Sequence, residues 1–526
     1  LRIWAYGDSR LTPSQDFAGA ILDLSDDVFW STRSTRDFLL TLERRWSELD
    51  DDARRSIEER IIQGPSPWDD EEDDKFTQRR AWDVLNRLAW MHENDLQLVN
   101  ENADLIEELK MIVPDWQPEF GAAAARSLEG RAGWVRTETD PGGLRDEPIA
   151  TVLAKALEIS KKRGSDFVEH DPFSGLAKTA PVRAFAVLRL AAKRGDYPEW
   201  AWRRFLSPEL RKDDKDRLRT LIARQLALMA DEQVAVFIRA AADWCEKSAK
   251  ALLECHPDAL SAVVDKLLDV LATQPDGSGS ALLRGKEPPD WTMEAINSPT
   301  GDLAEAIWWM LEGRKLQVHE GLPSDLKYKM DRILALPGDL RRHALVIFSY
   351  YLTWFFAIDP QWTKANLLVA LTLSDQEDAD AFWAGYLWAG RQPSLELFDI
   401  LKPHMIDLAK SGSLEKRGHA ETLSAMLLSA WAFTDDKTGQ RWVSDSELRG
   451  ILLASSDDLR SRMLWQISRW SSESWKTEDS KDATKGQKLD WPALLLSLMR
   501  DVWPRQMAAK SPTVSARMCD LVFDHE

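Results

Sequence analysis

Apolar residues return along this chain at the spacing of one helical face, and the polar breaks between the returns are short. Leu260, Val263, Val264, Leu267, Leu268 and Leu271 fall at i, i+3, i+4, i+7 positions, which puts them on a single stripe. Pro257 stands where the first turn of that helix would lie, a place where a missing N–H loses nothing. Residues 182–194 are framed in the same way, by Pro181 before and Gly195 after. Leu303, Ile307, Met310 and Leu311 predict a helix ended by Gly313, and Leu459, Met463 and Ile467 predict another near the end of the sequence. Residues 344–358 form the most apolar stretch and read as one helix buried on most sides. Ser349 and Thr353 interrupt it, and it is shorter than the ~20 residues a membrane span requires.

Four stretches carry turn or linker chemistry instead: 64–75, 137–148, 274–290 and 471–490. The first holds six consecutive acids, Asp69 to Asp74, which repel one another and stay solvated; the second holds Asp140-Pro141-Gly142-Gly143. These breaks divide the chain into an N-terminal helical region (1–145), a helical-repeat region (146–290) and a C-terminal helical domain (291–526). A helix-loop-helix unit recurs at roughly 30 to 45 residues without a fixed consensus, the size of solenoid repeats. The expected fold is therefore all-α, an irregular α-solenoid or stacked helical-repeat bundle, for which binding is the default function.

Composition sharpens this picture in three ways. The 25 tryptophans lie beside Leu, Ala and Arg at helical spacing, so most of them should fill gaps between helices, where a large aromatic ring buries about 150–250 Å². A net charge of −19 disfavours nucleic acid, since phosphate binding needs clustered Lys and Arg. Lys161-Lys162-Arg163, the longest basic run, fits the C-terminal end of a helix. Three cysteines, at 245, 255 and 519, make no disulfide framework and suit a reducing, cytoplasmic setting. Residues 1–20 have polar breaks throughout and do not read as a secretory signal. The chain opens on Leu1 and not on Met, and we expect a longer protein to have preceded it.

Candidate chemistry is thin. Cys245, Cys255 and His256 lack the C-x₂₋₄-C or H-x₃₋₅-H spacing of a zinc site. His92-Glu93 opens like a zincin motif, but Leu96 stands where the second ligand belongs. Gly279 to Lys286 invites comparison with a P-loop, yet it has five residues between the glycines and Glu287 in place of Ser or Thr. No Gly-x-Gly-x-x-Gly or Gly-x-Ser-x-Gly occurs, which leaves nucleotide and nucleophile-elbow chemistry without support. The acidic run lacks the alternating ligands of an EF-hand. Ser298 or Thr300 can cap the helix that follows, and Asp302 suits the positive end of its dipole. Asp359 and His343 flank the apolar stretch and are the one pair to inspect for a dispersed hydrolytic site.

One segment carries a resemblance. Asn297-Ser298-Pro299-Thr300-Gly301-Asp302-Leu303-Ala304-Glu305-Ala306, then Ala357-Ile358-Asp359-Pro360-Gln361-Trp362-Thr363, Ala381-Phe382-Trp383-Ala384-Gly385-Tyr386-Leu387-Trp388 and Leu397-Phe398-Asp399-Ile400-Leu401-Lys402-Pro403 resemble a helical domain of bacterial proteins. In that family the domain follows a sirtuin-like, NAD-cleaving module and is associated with defence against phage. The resemblance spans 297–410 and implies a sensor or scaffold half with a toxic effector upstream. This chain has no sirtuin NAD-binding glycine motif, so no catalytic residue carries over, and any NAD cleavage would belong to sequence before Leu1.

The expectations are then a non-catalytic helical scaffold or sensor that binds a protein partner, such as a phage protein, or holds a homo-oligomer together. No cofactor, metal, nucleic acid or membrane is expected. Aromatics are common interface anchors, and Trp308, Trp309, Trp383 and Trp388 offer more indole than one face of each helix buries easily. The alternatives are an enzyme with a dispersed Asp/Glu/His site and a purely architectural oligomerisation domain.

Overall fold

The computed structural model describes the chain apart from residues 1, 32–33, 69–70, 101, 127–135, 162–167, 274, 276–278, 283, 285–287, 373–374, 412–416, 435–438, 475–490 and 524–526. The protein is all-α, with a single two-stranded sheet among the described residues, β1 (Arg136–Glu138) paired in parallel with β2 (Val168–His170). The chain separates into two units, 1–134 and 135–526.

The first unit is built on α1 (Thr35–Arg45), α2 (Asp51–Gln63) and α3 (Asp73–Glu93). Asp50 caps α2 by accepting from the Ala53 N–H at 2.8 Å. Asp73 and Asp74, the end of the acidic run, form the first turn of α3, where the helix dipole favours negative charge; Asp69 and Asp70 lie outside the described residues. Phe17, Phe29, Phe38, Leu42, Ile61 and Leu88 fill the core.

Arginines organise this unit. Arg87 is buried against Phe29, Trp30 and Phe38, its guanidinium carbon 4.9, 3.9 and 4.6 Å from the ring centres, and donates to the Phe29 carbonyl. Burial pulls its pKa down to about 9, against the nearby charge of Asp83. Arg45, also buried, donates to the carbonyls of Tyr6 and Thr12 at 2.8 and 2.7 Å. Buried Glu58 does the converse, accepting from the N–H groups of Val99 and Asn100 at 2.7 and 2.9 Å. Each charged group satisfies backbone at a helix end or in a loop that has no partner within its own element.

The second unit stacks longer helices. In chain order the principal ones are α4 (Asp216–Leu228), α5 (Ile238–Cys255), α6 (Pro257–Thr273), α7 (Trp291–Ile296), α8 (Pro299–Glu312), α9 (Ser324–Leu334) and α10 (Gly338–Tyr350). They continue with α11 (Leu352–Ile358), α12 (Gln376–Ala389), α13 (Leu395–Ser411), α14 (Arg417–Ala432), α15 (Asp445–Ala454), α16 (Asp457–Ser474) and α17 (Pro512–Phe523). One row runs α5, α8, α10, α12, α14, α16, α17, each helix packed on the next. A second row contains α4, α6 and α9, and further along α13 and α15. Helices of the first row from α8 to α16 begin at 299, 338, 376, 417 and 457, so the offsets are 39, 38, 41 and 40 residues. That near-constant offset is the signature of a two-helix solenoid repeat, in which one row covers the apolar face of the other.

The expected boundary near 290 does not divide this unit. α5 lies before it and packs on α8, which lies after it, and one hydrophobic cluster runs from Leu144 to Leu521. The 146–290 and 291–526 regions are thus parts of a single stack, because each pair needs the next to bury its apolar face. The first division falls at 134/135, earlier than the expected 145/146, since the 137–148 turn stretch supplies β1 and a buried Leu144 to the second unit.

α10 and α12 cross closely. A Cβ added at Gly385 would stand 2.0 Å from the Val346 carbonyl oxygen, so only glycine lets the two backbones meet. Residues 344–358, expected as one helix, form two. α10 ends at Tyr350 and α11 starts at Leu352, with the chain turning at Tyr351. The Tyr351 ring stacks on Trp308 at 3.7 Å and its hydroxyl donates to Glu305 at 3.2 Å, tertiary contacts that local apolar patterning does not encode.

Candidate functional site

α8 starts as its sequence dictates: the Ser298 hydroxyl accepts from the Gly301 N–H at 3.0 Å and Pro299 occupies the first turn. Leu303, Ala304, Ile307 and Leu311 enter the core. Asp302, Glu305 and Trp309, at i, i+3, i+7, lie along the half-buried side of the same helix. α5 has the same organisation. Trp244, Cys245, Ala249 and Leu252 are buried, whereas Asp243, Glu246, Lys247 and Lys250 form the outward stripe. The two stripes meet.

Where they meet, carboxyls crowd together. The Trp309 indole N–H donates to Glu246 at 3.2 Å, and Lys247 pairs with the other Glu246 oxygen at 2.5 Å. Burial raises the Asp302 pKa to about 8, reinforced by Asp243 and Glu246 and opposed by Lys247. Burial also raises Glu305 and Asp243. Tyr351 is raised by burial and then by Glu305. The Asp302 carboxyl therefore holds a proton at neutral pH, although it sits in a first turn where the helix dipole alone would favour its charge.

Aromatic rings extend this patch across the row. Trp308 stacks on Tyr351 and meets Trp354 edge-on at 4.9 Å; Tyr351 meets Tyr350 at 4.9 Å, and Tyr350 meets Trp388 at 4.6 Å. The series Trp308, Tyr351, Tyr350, Trp388 thus steps from α8 over the end of α10 to α12. The Lys250 ammonium lies 3.4 Å from the ring centre of Trp309, outside this series, and the Arg391 guanidinium lies 5.7 Å from that of Tyr350, inside it. Ammonium and guanidinium groups are attracted to indole and phenol faces in this way.

The four tryptophans picked out by sequence divide by exposure. Trp308 and Trp383 are each 6% exposed and serve packing, Trp309 is half-buried, and Trp388 is 41% exposed. Only Trp309 and Trp388 present indole that a partner could reach. Asp302 was legible only as a dipole partner; the pattern of Asp302, Glu305 and Trp309 on one stripe was the signal that could have found the cluster.

Other candidates are placed differently. Asp359 caps the short helix Pro360–Asn366 by accepting from the Trp362 N–H at 2.9 Å, and it also lies 3.7 Å from Lys327. His343 is buried beside Glu294, 3.6 Å away, with burial lowering its pKa against the pull of that carboxylate. The structure gives these two residues separate partners. Cys245 is buried, and burial pushes its thiol up, the reverse of an activated nucleophile. The Cys255 thiol donates to the Ala251 carbonyl at 3.0 Å, and the His256 N–H ends α5 on the Leu252 carbonyl at 2.7 Å. No group of three or more His, Cys, Asp or Glu among the described residues is arranged to hold a metal.

In the P-loop-like stretch, the Gly279 carbonyl accepts from Arg239 at 3.1 Å and the Ala281 N–H donates to the Asn297 carbonyl at 2.8 Å. Residues 283 and 285–287 lie outside the described residues, as do Lys162 and Arg163 of the basic run. Among the described residues no helix is long and apolar enough to cross a membrane. The first unit has open clefts of about 410 Å³ beside Arg60 and Arg80, with Asp26 paired to Arg60 at 3.2 Å on its wall, and of about 540 Å³ beside Arg79 and Trp82. No protein-family model matches the chain, and no curated protein is similar enough to it to count as a relative.

Proposed function

We propose that this chain is a non-catalytic helical scaffold or sensor that binds a protein partner along the α5–α8–α10–α12 row, as part of a bacterial anti-phage defence protein. The observation that carries the binding reading is the pair of accessible indoles, half-buried Trp309 on α8 and exposed Trp388 on α12, on a stack of helices whose rings Trp308, Tyr351 and Tyr350 pack between them. A helical stack offers a long surface of this kind, and Trp and Tyr are the side chains that most often anchor interfaces. The defence setting comes from the sequence resemblance over 297–410, with control of an attached effector as its consequence.

The test is affinity capture from phage-infected and uninfected bacterial lysates, with the wild type beside a Trp309→Ala, Trp388→Ala double variant whose circular dichroism and Tm match it. A protein captured by the wild type and lost by the variant supports the reading. Equal capture by both, or recovery of the chain alone as a defined oligomer, overturns it in favour of an architectural role.

A further inference from the structure

We infer that the outer face of α4 is a docking surface for a helix of a partner protein that carries apolar and acidic side chains alternately along one stripe. The inference concerns a different helix from those that bear Trp309 and Trp388, and it does not rest on the binding reading above.

The sequence of α4 sorts its residues onto two faces. Leu218, Ile222, Ala223 and Leu226 enter the core. Arg217, Leu221, Arg224 and Leu228 lie on the opposite side, at i, i+4, i+7 and i+11, and all four are exposed. At helical geometry these four fall within about 60° of arc and run roughly 16 Å along the axis. Their alternating four- and three-residue steps are those of a coiled-coil seam, with arginine at one seam position and leucine at the other. Leu221 is 40% and Leu228 84% exposed, so the seam leaves apolar surface in water. Its cations are equally unengaged. Arg211 and Arg219, close by in the chain, have carboxylates beside them, Asp214 at 3.5 Å and Asp216 at 3.2 Å. Arg217 and Arg224 make no hydrogen bond or ion pair among the described residues.

The place of α4 in the stack says what fits there. It is the earliest helix of the second row, and among the described elements it packs chiefly on α6 and α5. Opposite its buried face, the seam lies at the open end of that row. A solenoid end that stays in water carries a polar outer face, whereas this one carries leucine. A helix laid on it extends the row: its apolar side chains meet Leu221 and Leu228, and its carboxylates meet the two guanidiniums between them. Charge chooses among the other occupants. A second copy of α4 would gather four guanidiniums in one seam with no carboxylate among them, and like charges so placed repel. A nucleic acid strand would engage the arginines and leave both leucines in water.

The test titrates the full chain with two fluorescent helical peptides of three heptads, one with Leu and Glu alternating along its seam and one with Leu and Lys. The proteins are the wild type, an Arg217→Glu, Arg224→Glu variant, a Leu221→Gln, Leu228→Gln variant, and an Arg505→Glu, Lys510→Glu control that reverses two exposed charges elsewhere in the unit. Every substitution is at an exposed position, and circular dichroism and Tm matching the wild type establish that the fold is kept. We expect the Leu/Glu peptide alone to bind the wild type. The charge-reversed variant should lose it at least tenfold and take the Leu/Lys peptide instead, the glutamine variant should weaken it at least tenfold, and the control should stay within twofold. Leu/Glu binding that survives charge reversal, equal binding of both peptides by the wild type, or no binding of either overturns the inference. Loss of the peptide in the Trp309→Ala, Trp388→Ala variant places it on the other surface and overturns it too. So does a wild-type dimer in sedimentation that the glutamine variant abolishes, because a second copy then covers α4.

Discussion

The two units bury acids in different ways. The first closes short helices and loops around charged side chains that end on backbone, with Arg45 and Arg87 on carbonyls and Glu58 on N–H groups. The second closes long helices on one another through aliphatic and aromatic stripes; its buried Arg211 and Arg460 also end on carbonyls, but its acids at α5 and α8 face other acids in place of backbone. A loop-rich unit must satisfy irregular backbone, and arginine reaches furthest with the most donors. A helical stack satisfies its backbone internally, so its polar stripes are left available for other tasks.

The largest expected break in this comparison is Arg87→Ala. It removes a buried cation, leaves the Phe29 carbonyl unpaired and opens a cavity, and should cost about 3–5 kcal/mol. Hydrogen exchange should quicken in α1 and α3 while α8, α10 and α12 keep their protection. Arg87→Met, which restores volume without charge, should recover much of the loss. A uniform effect on both units would show that they do not differ as described.

Gly385→Ala is the counterpart in the second unit. Its methyl would collide with the Val346 carbonyl, which is rigid helix backbone, so the α10–α12 crossing must open. The expected loss is about 3 kcal/mol, the upper end for overpacking, with faster exchange confined to α10 and α12 and their neighbours. Unchanged stability would mean that the crossing is looser than it stands here.

Asp302→Asn sharpens the comparison with a smaller effect of opposite sign. The folded-state pKa of Asp302, about 8, lies above its ordinary 3.8. The folded protein thus binds this proton more tightly than the unfolded chain does. The resulting stability is complete below about pH 4 and is lost as pH rises through about 8. Every tenfold difference in proton affinity between the folded and unfolded chain is worth about 1.4 kcal/mol. If even a third of the rise above the ordinary value is expressed, Asp302→Asn is more stable than wild type by about 2 kcal/mol at pH 8. Denaturation at pH 5 and pH 8 measures it; equal stability of the two proteins at both values would remove the buried-acid account.

Much of the second unit was legible in the sequence, because its helices are defined by local rules. Pro257, Pro181 with Gly195, and Ser298 with Gly313 mark ends that the structure places where the pattern does. The all-α class and the helix-pair repeat follow from the same periodicity. What local rules do not contain is what a residue meets across the fold. The turn at Tyr351 depends on Trp308 and Glu305, which lie more than forty positions away. The sorting of Trp308 and Trp383 inward and Trp388 outward depends on which neighbouring helix covers each ring. Arg87 is buried because the rings of Phe29, Trp30 and Phe38, brought from elsewhere in the fold, close over its guanidinium. Asp302 looked like a dipole partner until α5 brought three more ionisable groups to it.

The near-constant offset of the first-row helices has a mechanical side. Each helix finds its main partners directly before and after it in the row, so tension applied along the row meets helix–helix contacts of unequal extent in series. Such a stack yields one pair at a time. Each step is expected to free a similar length of chain, roughly 140 Å for a repeat of about forty residues, while the weakest crossing, α12 with α14, gives way first.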